Sequence, residues 1–322
     1  MTDDEPREKQ PITPTGAQDP TGTGAAVREL VGPPSPWRTS NRLGWVAAVA
    51  LLTVAGVTGV VLASGASSSG SAVPPSGAAA TVNTREQAVP VPAPIPVTEI
   101  ELAALPQATT YGTVPDAPQD PAPGAVPSGR LVRPNATVPV YAAPGGKPIA
   151  ALPALQLVSD TAVPIVAEQP GWAQVLLPVR PNGSTGWVHL DDPRIVLSRT
   201  PYRIVVERAV FVLTLFAGDR PVGQWNVGVG RPDAVTPAGR TFLLASVRET
   251  AEPRFSDIVL PLGFHSATFE TYGGGPGVVG IHGWPTADVF GVPSSDGCIR
   301  VPSDALQTIS STAHVGAAVL IK

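Results

Sequence analysis

The residues best suited to chemistry in this sequence are a cysteine and a histidine near its C-terminus. Cys298 is the single cysteine among the 322 residues, and it lies in the segment SDGCIR at 295–300. His282 precedes it in the segment GIHG at 280–283. A thiol becomes a strong nucleophile when a base takes its proton, and backbone amides such as those of Gly297 and Cys298 stabilise an oxyanion. The two segments therefore predict a Cys/His site for acyl transfer.

The other interpretation of Cys298 is structural, because an unpaired cysteine is usually a small, buried hydrophobic residue. Two observations favour a reactive thiol. Glycine and arginine bracket the cysteine, and the upstream sequence predicts export to an oxidising compartment, where an unused thiol is a liability. A single cysteine also excludes an intramolecular disulfide and a multi-cysteine metal site.

Residues 200–322 resemble the catalytic domain of the L,D-transpeptidase (YkuD-like) family over nearly their whole length. A histidine followed by Ser/Thr-x-Gly-Cys-hydrophobic-Arg/Asn marks that family, and His282 with the segment 295–300 fits this pattern. Further segments typical of the family are a Thr-Pro-x-Gly turn at 236–239, a glycine-rich stretch at 273–277 and VPSDAL at 301–306. Asp296 departs from the family, many of whose members carry histidine there. An acid so close to the nucleophile disfavours the thiolate.

The resemblance implies a reaction on peptidoglycan stem peptides. Cys298 would attack the carbonyl of the third residue in a tetrapeptide stem, releasing the terminal D-Ala and forming a thioester. An amine of a neighbouring stem would then make a 3→3 cross-link, whereas water as acceptor would make the protein an L,D-carboxypeptidase. No metal or organic cofactor is required. Carbapenem-type β-lactams are the expected covalent inhibitors.

The resemblance also implies roles for individual residues. His282 would take the thiol proton, and the carbonyl of Gly283 would orient its ring. The amides of Gly297 and Cys298 would form the oxyanion hole, and Arg300 would recognise a carboxylate or steady the loop. Substrate contacts are also expected at Ser295, Trp284 and Tyr272, with packing as the simpler account of the two aromatic residues.

The other three histidines are expected to have minor roles. His189 is expected at the surface, and His314 is expected to complement the C-terminal dipole of a helix. His265 precedes the glycine-rich stretch, so it either lines the cleft or has a structural role.

Composition indicates β structure and long loops. Charged residues make up 14% of the chain, which also holds 39 prolines and 33 glycines, and this excludes a long helical bundle or coiled coil. The net charge of −4 gives no electrostatic reason to expect a nucleic-acid partner.

An apolar stretch predicts a membrane anchor. Residues 43–63 read LGWVAAVALLTVAGVTGVVLA, which as a helix spans about 30 Å, the thickness of a bilayer core. Arg38 and Arg42 flank only its N-terminal side, so the positive-inside rule places residues 1–42 in the cytoplasm. These residues are polar and are expected to form a disordered tail. A cleaved signal peptide is the alternative. In both cases the rest of the chain is exported to the cell wall.

Two further regions precede the catalytic domain. Residues 64–128 are rich in Ala, Ser, Gly and Pro and predict an extended spacer without a core. Residues 129–199 alternate short strands with turns and predict a small β module. Its segments GW at 171–172 and GWV at 186–188 resemble bacterial SH3-like domains, and core packing of the two tryptophans is the alternative.

The predicted fold class is mainly β. A β-rich catalytic domain at 200–322 with one short helix follows an SH3-like barrel, a Pro/Ala-rich linker and one transmembrane helix. The short helix is predicted from Asp304 to Thr312, with Ser303 as its cap.

Two alternative functions stay open beside the transpeptidase. One is a non-catalytic wall-binding protein whose site has decayed through Asp296 and whose β module binds the wall. The other is a Cys/His hydrolase on the same fold. Intact Cys298, His282 and Arg300 argue against decay.

Overall fold

The structure is a computed structural model of the chain, and it describes residues 90–249 and 256–322. The predicted tail at 1–42, the predicted membrane helix at 43–63 and the first part of the predicted spacer lie outside these residues and stay predictions. Within the described ranges, no helix is long and apolar enough to cross a membrane.

The described residues are mainly β, which confirms that part of the predicted fold class. An antiparallel sheet of seven strands has the order β3-β2-β8-β7-β6-β1-β9, and β4 pairs with β5 beside it. The strands are β1 (Arg130–Pro134), β2 (Val138–Tyr141), β3 (Pro148–Leu152), β4 (Leu155–Gln156), β5 (Ser159–Asp160), β6 (Val163–Gln169), β7 (Trp172–Leu176), β8 (Thr185–His189) and β9 (Ile195–Arg199).

The second half of the chain forms a five-stranded sheet, β12-β11-β10-β20-β14, a four-stranded sheet, β15-β16-β17-β19, and the pair β13-β18. The strands are β10 (Tyr202–Glu207), β11 (Val212–Ala217), β12 (Arg220–Asn226), β13 (Val229–Gly230), β14 (Gly239–Phe242), β15 (Val247–Arg248), β16 (Ile258–His265), β17 (Val278–Gly283), β18 (Pro293–Ser295), β19 (Ile299–Val301) and β20 (Ala318–Ile321). Two α-helices are described, α1 (Glu99–Ala104) and α2 (Ser303–Thr312), with 3₁₀ turns at Arg208–Val210 and Ala287–Val289.

One hydrophobic cluster joins the five-stranded sheet, the four-stranded sheet and α2. It contains Ile204 and Leu215 from the first of these sheets, Leu260 and Ile281 from the second, and Leu306 from the helix, all buried. Branched apolar side chains favour pleated, half-buried surfaces, so these segments form strands and bury one face together. The cluster fixes the position of β17, which carries His282.

A second cluster lies against the seven-stranded sheet and includes residues from the other half of the chain. Phe242 and Leu244 pack there with Val132 and Val175 of that sheet. The division predicted at 199/200 therefore stays a prediction: the sheets change at this point, while the second cluster extends across it.

Residues 99–128 differ from the spacer predicted for them. Ala108, Val114 and Ala117 are buried in the second cluster, and the amide of Ala108 donates to the carbonyl of Ala151 at the sheet edge. The spacer prediction is wrong here because small apolar side chains of this segment pack against the seven-stranded sheet and are buried there.

The helices also correct two details of the prediction. Helix α1 was not predicted, although Thr98 and Glu101 form a capping box: the Thr98 hydroxyl accepts from the Glu101 amide and the Glu101 carboxylate accepts from the Thr98 amide. Threonine followed three residues later by glutamate is the sequence signal for such a start. In α2, Ser303 is the first helical residue and Pro302 is the N-cap, with no side-chain hydrogen bond. The predicted serine cap is therefore wrong.

An ion pair between Asp120 and Arg240 ties the segment before the first sheet to β14. Both side chains are only 2% exposed, and the Arg240 Nε donates to Oδ2 of Asp120 at 2.8 Å. A buried charge that loses its partner is strongly destabilising, whereas an exposed pair contributes little.

Asp120→Ala should therefore lower the free energy of unfolding by about 3–5 kcal/mol, because it leaves the Arg240 guanidinium buried without a carboxylate. Denaturant unfolding of the purified chain measures this. The matched control is Asp116→Ala, which breaks the exposed pair with Lys147 (66% and 71% exposed) and should cost less than about 1 kcal/mol. Equal losses in the two variants would contradict the structural role of the buried pair.

Candidate active site

The site begins with two parallel strands. β17 pairs with β19 so that His282 stands opposite Arg300 and Ile281 opposite Ile299. Side chains alternate along a strand, and in-register neighbours project to the same face. Cys298 immediately precedes β19 and is two residues from Arg300, so the pairing directs the cysteine, the histidine and the arginine to one side of the sheet.

A cavity of about 300 Å³ opens on that side. Six of the side chains predicted from the sequence line it: Cys298, His282, Arg300, Ser295, Trp284 and Tyr272. Gly283 and Gly297 lie outside its wall, in the segments that carry these residues. A larger groove of about 830 Å³ shares Trp284 with this cavity and also includes Gly283, but it contains neither Cys298 nor His282. The candidate site is therefore the smaller cavity, which Cys298 and His282 line together.

His282 is held as a neutral base. It is buried, and its Nδ1 lies 2.8 Å from the carbonyl oxygen of Gly283. A carbonyl only accepts, so Nδ1 carries the proton and Nε2 is the basic nitrogen. Burial lowers the pKa of His282, Arg300 lowers it further, and the bond to Gly283 together with Glu249 acts in the opposite direction.

Cys298 is held as a thiol. The residue is half-buried, and desolvation raises the pKa of its thiol. A backbone hydrogen bond from Gly280 and the positive charge of Arg300 lower that pKa, and the nearby carboxylate of Asp296 raises it. Cys298 and His282 therefore rest as a neutral thiol and a neutral imidazole.

The loop before Cys298 is fixed by internal hydrogen bonds. The Ser295 hydroxyl donates to the Cys298 carbonyl and accepts from the Gly297 amide at 3.2 Å. The hydroxyl of Thr236 donates to the Gly297 carbonyl at 2.9 Å. Gly297 has φ +116°, which favours glycine. Ser295 thus shapes the loop, and the Gly297 amide, predicted as an oxyanion donor, is bonded within it.

Asp296, which departs from the family pattern, is paired with a positive charge that sequence reasoning missed. Its Oδ1 lies 2.7 Å from Nη2 of Arg231, and its Oδ2 accepts from the Tyr272 hydroxyl at 3.2 Å. Arg231 follows β13, which runs parallel to β18. No sequence spacing indicates this contact, because the pairing joins segments more than sixty residues apart.

Arg300 is placed by stacking as well as by charge. Its guanidinium lies 3.6 Å from the centre of the Trp284 ring, and its Nη1 donates to the Ser294 carbonyl at 2.6 Å. The buried Nε has no hydrogen-bond partner among the described residues. Desolvation lowers the pKa of this arginine, so a bound anion would be favoured beside it.

The cavity wall that carries Tyr272 is held by a residue from outside the catalytic part, which sequence reasoning also missed. Arg180 follows the first sheet's β7, and its guanidinium donates to the carbonyl oxygens of Ser266, Phe269, Glu270 and Pro276 at 3.1–3.4 Å. Ser266, Phe269 and Tyr272 all line the cavity. One planar guanidinium with several donors is suited to organising such a loop.

The remaining histidines lie outside the cavity wall. His265 is fully buried, and its Nε2 lies 2.7 Å from the Thr110 carbonyl oxygen, which agrees with the structural alternative. His189 packs against Trp172 with ring centres 5.0 Å apart, and His314 is exposed after α2.

Comparisons with known proteins agree with the resemblance seen in the sequence. Residues 201–321 match the family model YkuD, the L,D-transpeptidase catalytic domain. YqjB of Bacillus subtilis (strain 168), described as a candidate L,D-transpeptidase, is 29% identical over 126 residues, which cover 38% of this chain and 70% of that protein. These two matches support an L,D-transpeptidase catalytic domain at residues 201–321.

Solved structures were also matched. An L,D-transpeptidase from Mycobacterium smegmatis is 15% identical, with 48% of this chain and 79% of that one covered and a TM-score of 0.34. One from Mycobacterium tuberculosis H37Rv is 14% identical, with 50% and 90% covered and a TM-score of 0.34.

Arg231→Gln should raise the pKa of Cys298, because Asp296 then acts on the thiolate without its compensating guanidinium. The pH profile of thiol alkylation by iodoacetamide should move to higher pH. Asp296→Asn should move it to lower pH, and the double variant should follow Asp296→Asn. The control Asp233→Asn removes the other acid bound to Arg231 and should leave the profile nearly unchanged. If the double variant has the alkylation profile of Arg231→Gln instead, Arg231 affects Cys298 through the shape of the site and not through the charge of Asp296.

Arg180→Ala should release the loop at 266–277 while leaving the nucleophile intact. Loss of charge-assisted hydrogen bonds worth about 1.5–3 kcal/mol predicts amide hydrogen exchange roughly 10- to 150-fold faster in that loop. Arg199→Ala, which removes an exposed arginine of β9, is the control. Unchanged exchange in the Arg180 variant would show that the loop is held by other contacts.

Proposed function

We propose that this protein is a peptidoglycan L,D-transpeptidase that forms 3→3 cross-links through a thioester on Cys298. The observation that carries the proposal is the single cavity that Cys298, His282 and Arg300 line together. The family match at residues 201–321 supports the reaction class.

In the first half-reaction the Cys298 proton passes to Nε2 of His282 as sulfur attacks the carbonyl carbon of the third stem residue. The hydrogen bond between Nδ1 and the Gly283 carbonyl keeps the ring in the tautomer that this transfer needs. The tetrahedral oxyanion collapses, the bond to the terminal D-Ala breaks, and the imidazolium returns the proton to the departing amine. A thioester remains on the enzyme.

In the second half-reaction an amine of a neighbouring stem attacks the thioester carbonyl. His282 takes a proton from that amine and returns it to the sulfur as the carbon–sulfur bond breaks, so the thiol is regenerated and an amide cross-link forms. Water in place of the amine yields a tripeptide, which is the L,D-carboxypeptidase alternative on the same site.

The neutral resting pair suits this sequence of steps. Because burial raises the pKa of Cys298 and lowers that of His282, charge separates only when a carbonyl is in place to be attacked. The cation of Arg300 beside the thiol then stabilises the anionic intermediate or the carboxylate of the leaving D-Ala. Trp284 and Tyr272 line the cavity and supply apolar surface for the stem.

The wall-binding alternative and the location are also proposals. The ion pair between Asp296 and Arg231 offsets the charge that would mark a decayed site, which favours an enzyme. We place the catalytic domain outside the cytoplasmic membrane, tethered by the helix predicted at 43–63, with residues 129–199 positioning it at the wall.

The test is mass spectrometry of tetrapeptide muropeptides incubated with the purified chain. A cross-linked dimer that has lost one D-Ala is expected, and Cys298→Ala should form none. His282→Ala should lose roughly 10²- to 10⁴-fold in turnover, the usual contribution of a general base, while His314→Ala changes only an exposed histidine and should retain activity. A carbapenem should add one covalent adduct to the chain and none to Cys298→Ala.

The outcomes separate the functions. Tripeptide without dimer would assign the carboxypeptidase reaction. A carbapenem adduct without muropeptide turnover would show a reactive thiol that does not act on stem peptides. Equal labelling of Cys298→Ala would show that the nucleophile is another residue.

A further inference from the structure

A proline-rich strand of this chain lies on the surface of the seven-stranded sheet. Residues 89–97 read VPVPAPIPV, so every second residue from 90 to 96 is proline. Proline fixes its own φ and holds the residue before it in an extended conformation. The alternation therefore predisposes residues 90–97 to a polyproline II strand, which makes no internal hydrogen bonds.

Two side chains of the sheet donate hydrogen bonds to this strand. The indole Nε1–H of Trp172 donates to the carbonyl of Pro92 at 2.8 Å, and the hydroxyl of Tyr141 donates to the carbonyl of Ile95 at 2.9 Å. A strand of alternating prolines has lost half of its amides, so its main chain offers chiefly acceptors. The two bonded carbonyls are three residues apart, which is one turn of polyproline II, and so they face the same way.

The shape of the surface matches the strand as well. Tyr141 and Trp172 pack edge to face, with ring centres 5.2 Å apart, and Val97 packs on their cluster. Gly145 and Gly171 both have positive φ, and a Cβ on either would lie 2.9 Å from Pro92 or 2.7 Å from Val91. Side chains at these two turns would occupy the space that the strand fills.

We propose that Tyr141, Trp172, Gly145 and Gly171 form a recognition site for a proline-rich strand in the polyproline II conformation, filled in cis by residues 91–97. Donors spaced by one turn, an aromatic platform and glycine walls are the features that such a ligand requires. The strand lies on the surface, with Val91 47% and Ile95 44% exposed, so the contact is a docking contact and not part of the core. This inference does not depend on the proposed catalytic activity.

The site holds the chain at the point where the predicted spacer joins the seven-stranded sheet. When residues 91–97 are bound, the predicted spacer ends at about residue 90. When they are released, the strand adds its own length to the spacer at ~3.1 Å per residue.

The experiment uses the full chain carrying Pro94→Gly and Pro96→Gly, which loosen the strand and leave the sheet unaltered. A dye-labelled peptide of sequence VPVPAPIPVT is titrated against it by fluorescence anisotropy. Saturable binding is expected, and the unaltered chain should bind at least about tenfold more weakly, since its own strand competes at a high effective concentration. A peptide with alanine at each proline should bind more weakly than the native peptide.

The donor is tested in the same background. Tyr141→Phe should weaken peptide binding about 2- to 12-fold, the value of one hydrogen bond, and Tyr111→Phe, which changes an exposed tyrosine elsewhere, should not. Thermal unfolding of each variant shows that the fold is kept. Absence of saturable binding to the loosened chain, or equal binding of the alanine peptide, would overturn the proposal.

Discussion

The candidate site depends on the parallel pairing of β17 with β19. This short ladder places His282 opposite Arg300 and brings Cys298 to the same face two residues earlier. Apolar packing stabilises this pairing, since Ile281 and Ile299 are both fully buried in the cluster that joins the five-stranded and four-stranded sheets. Apolar burial, which is not directional, thus sets the positions of three polar groups whose chemistry is highly directional. Polar contacts then hold the loop before Cys298 and the guanidinium of Arg300 in place.

Burial has a second effect on the same residues, because it opposes charge on both members of the proposed catalytic pair. It raises the pKa of the Cys298 thiol and lowers the pKa of the His282 imidazole. Arg300 offsets the first effect and Asp296 adds to it, while Arg231 pairs with Asp296. Asp296, which departs from the family pattern, is therefore part of a local charge balance that includes Arg231 and Arg300.

The sequence predicted what is local or motif-based and missed what is distant. The segments around His282 and Cys298 predicted residues that line one cavity, and the β class is confirmed. Helix α1 begins at a capping box formed by Thr98 and Glu101, a local signal that lies directly after a run of alternating prolines. Arg180 and Arg231 carried no signal, because the contacts of Arg180 with loop carbonyls and of Arg231 with Asp296 join segments far apart in the chain. The roles of the site residues and the membrane helix stay predictions.

Three contacts that the sequence did not predict join the residues before 200 to residues 201–321. Asp120 neutralises the buried Arg240 of β14, Arg180 holds the loop that carries Tyr272, and Phe242 packs in the cluster of the first sheet. A catalytic part cut at residue 199 would keep the motif but would leave a buried charge unpaired and a cavity wall unsupported. The motif therefore carries the chemistry that we propose, and the preceding sheet helps to hold the residues of the motif in position.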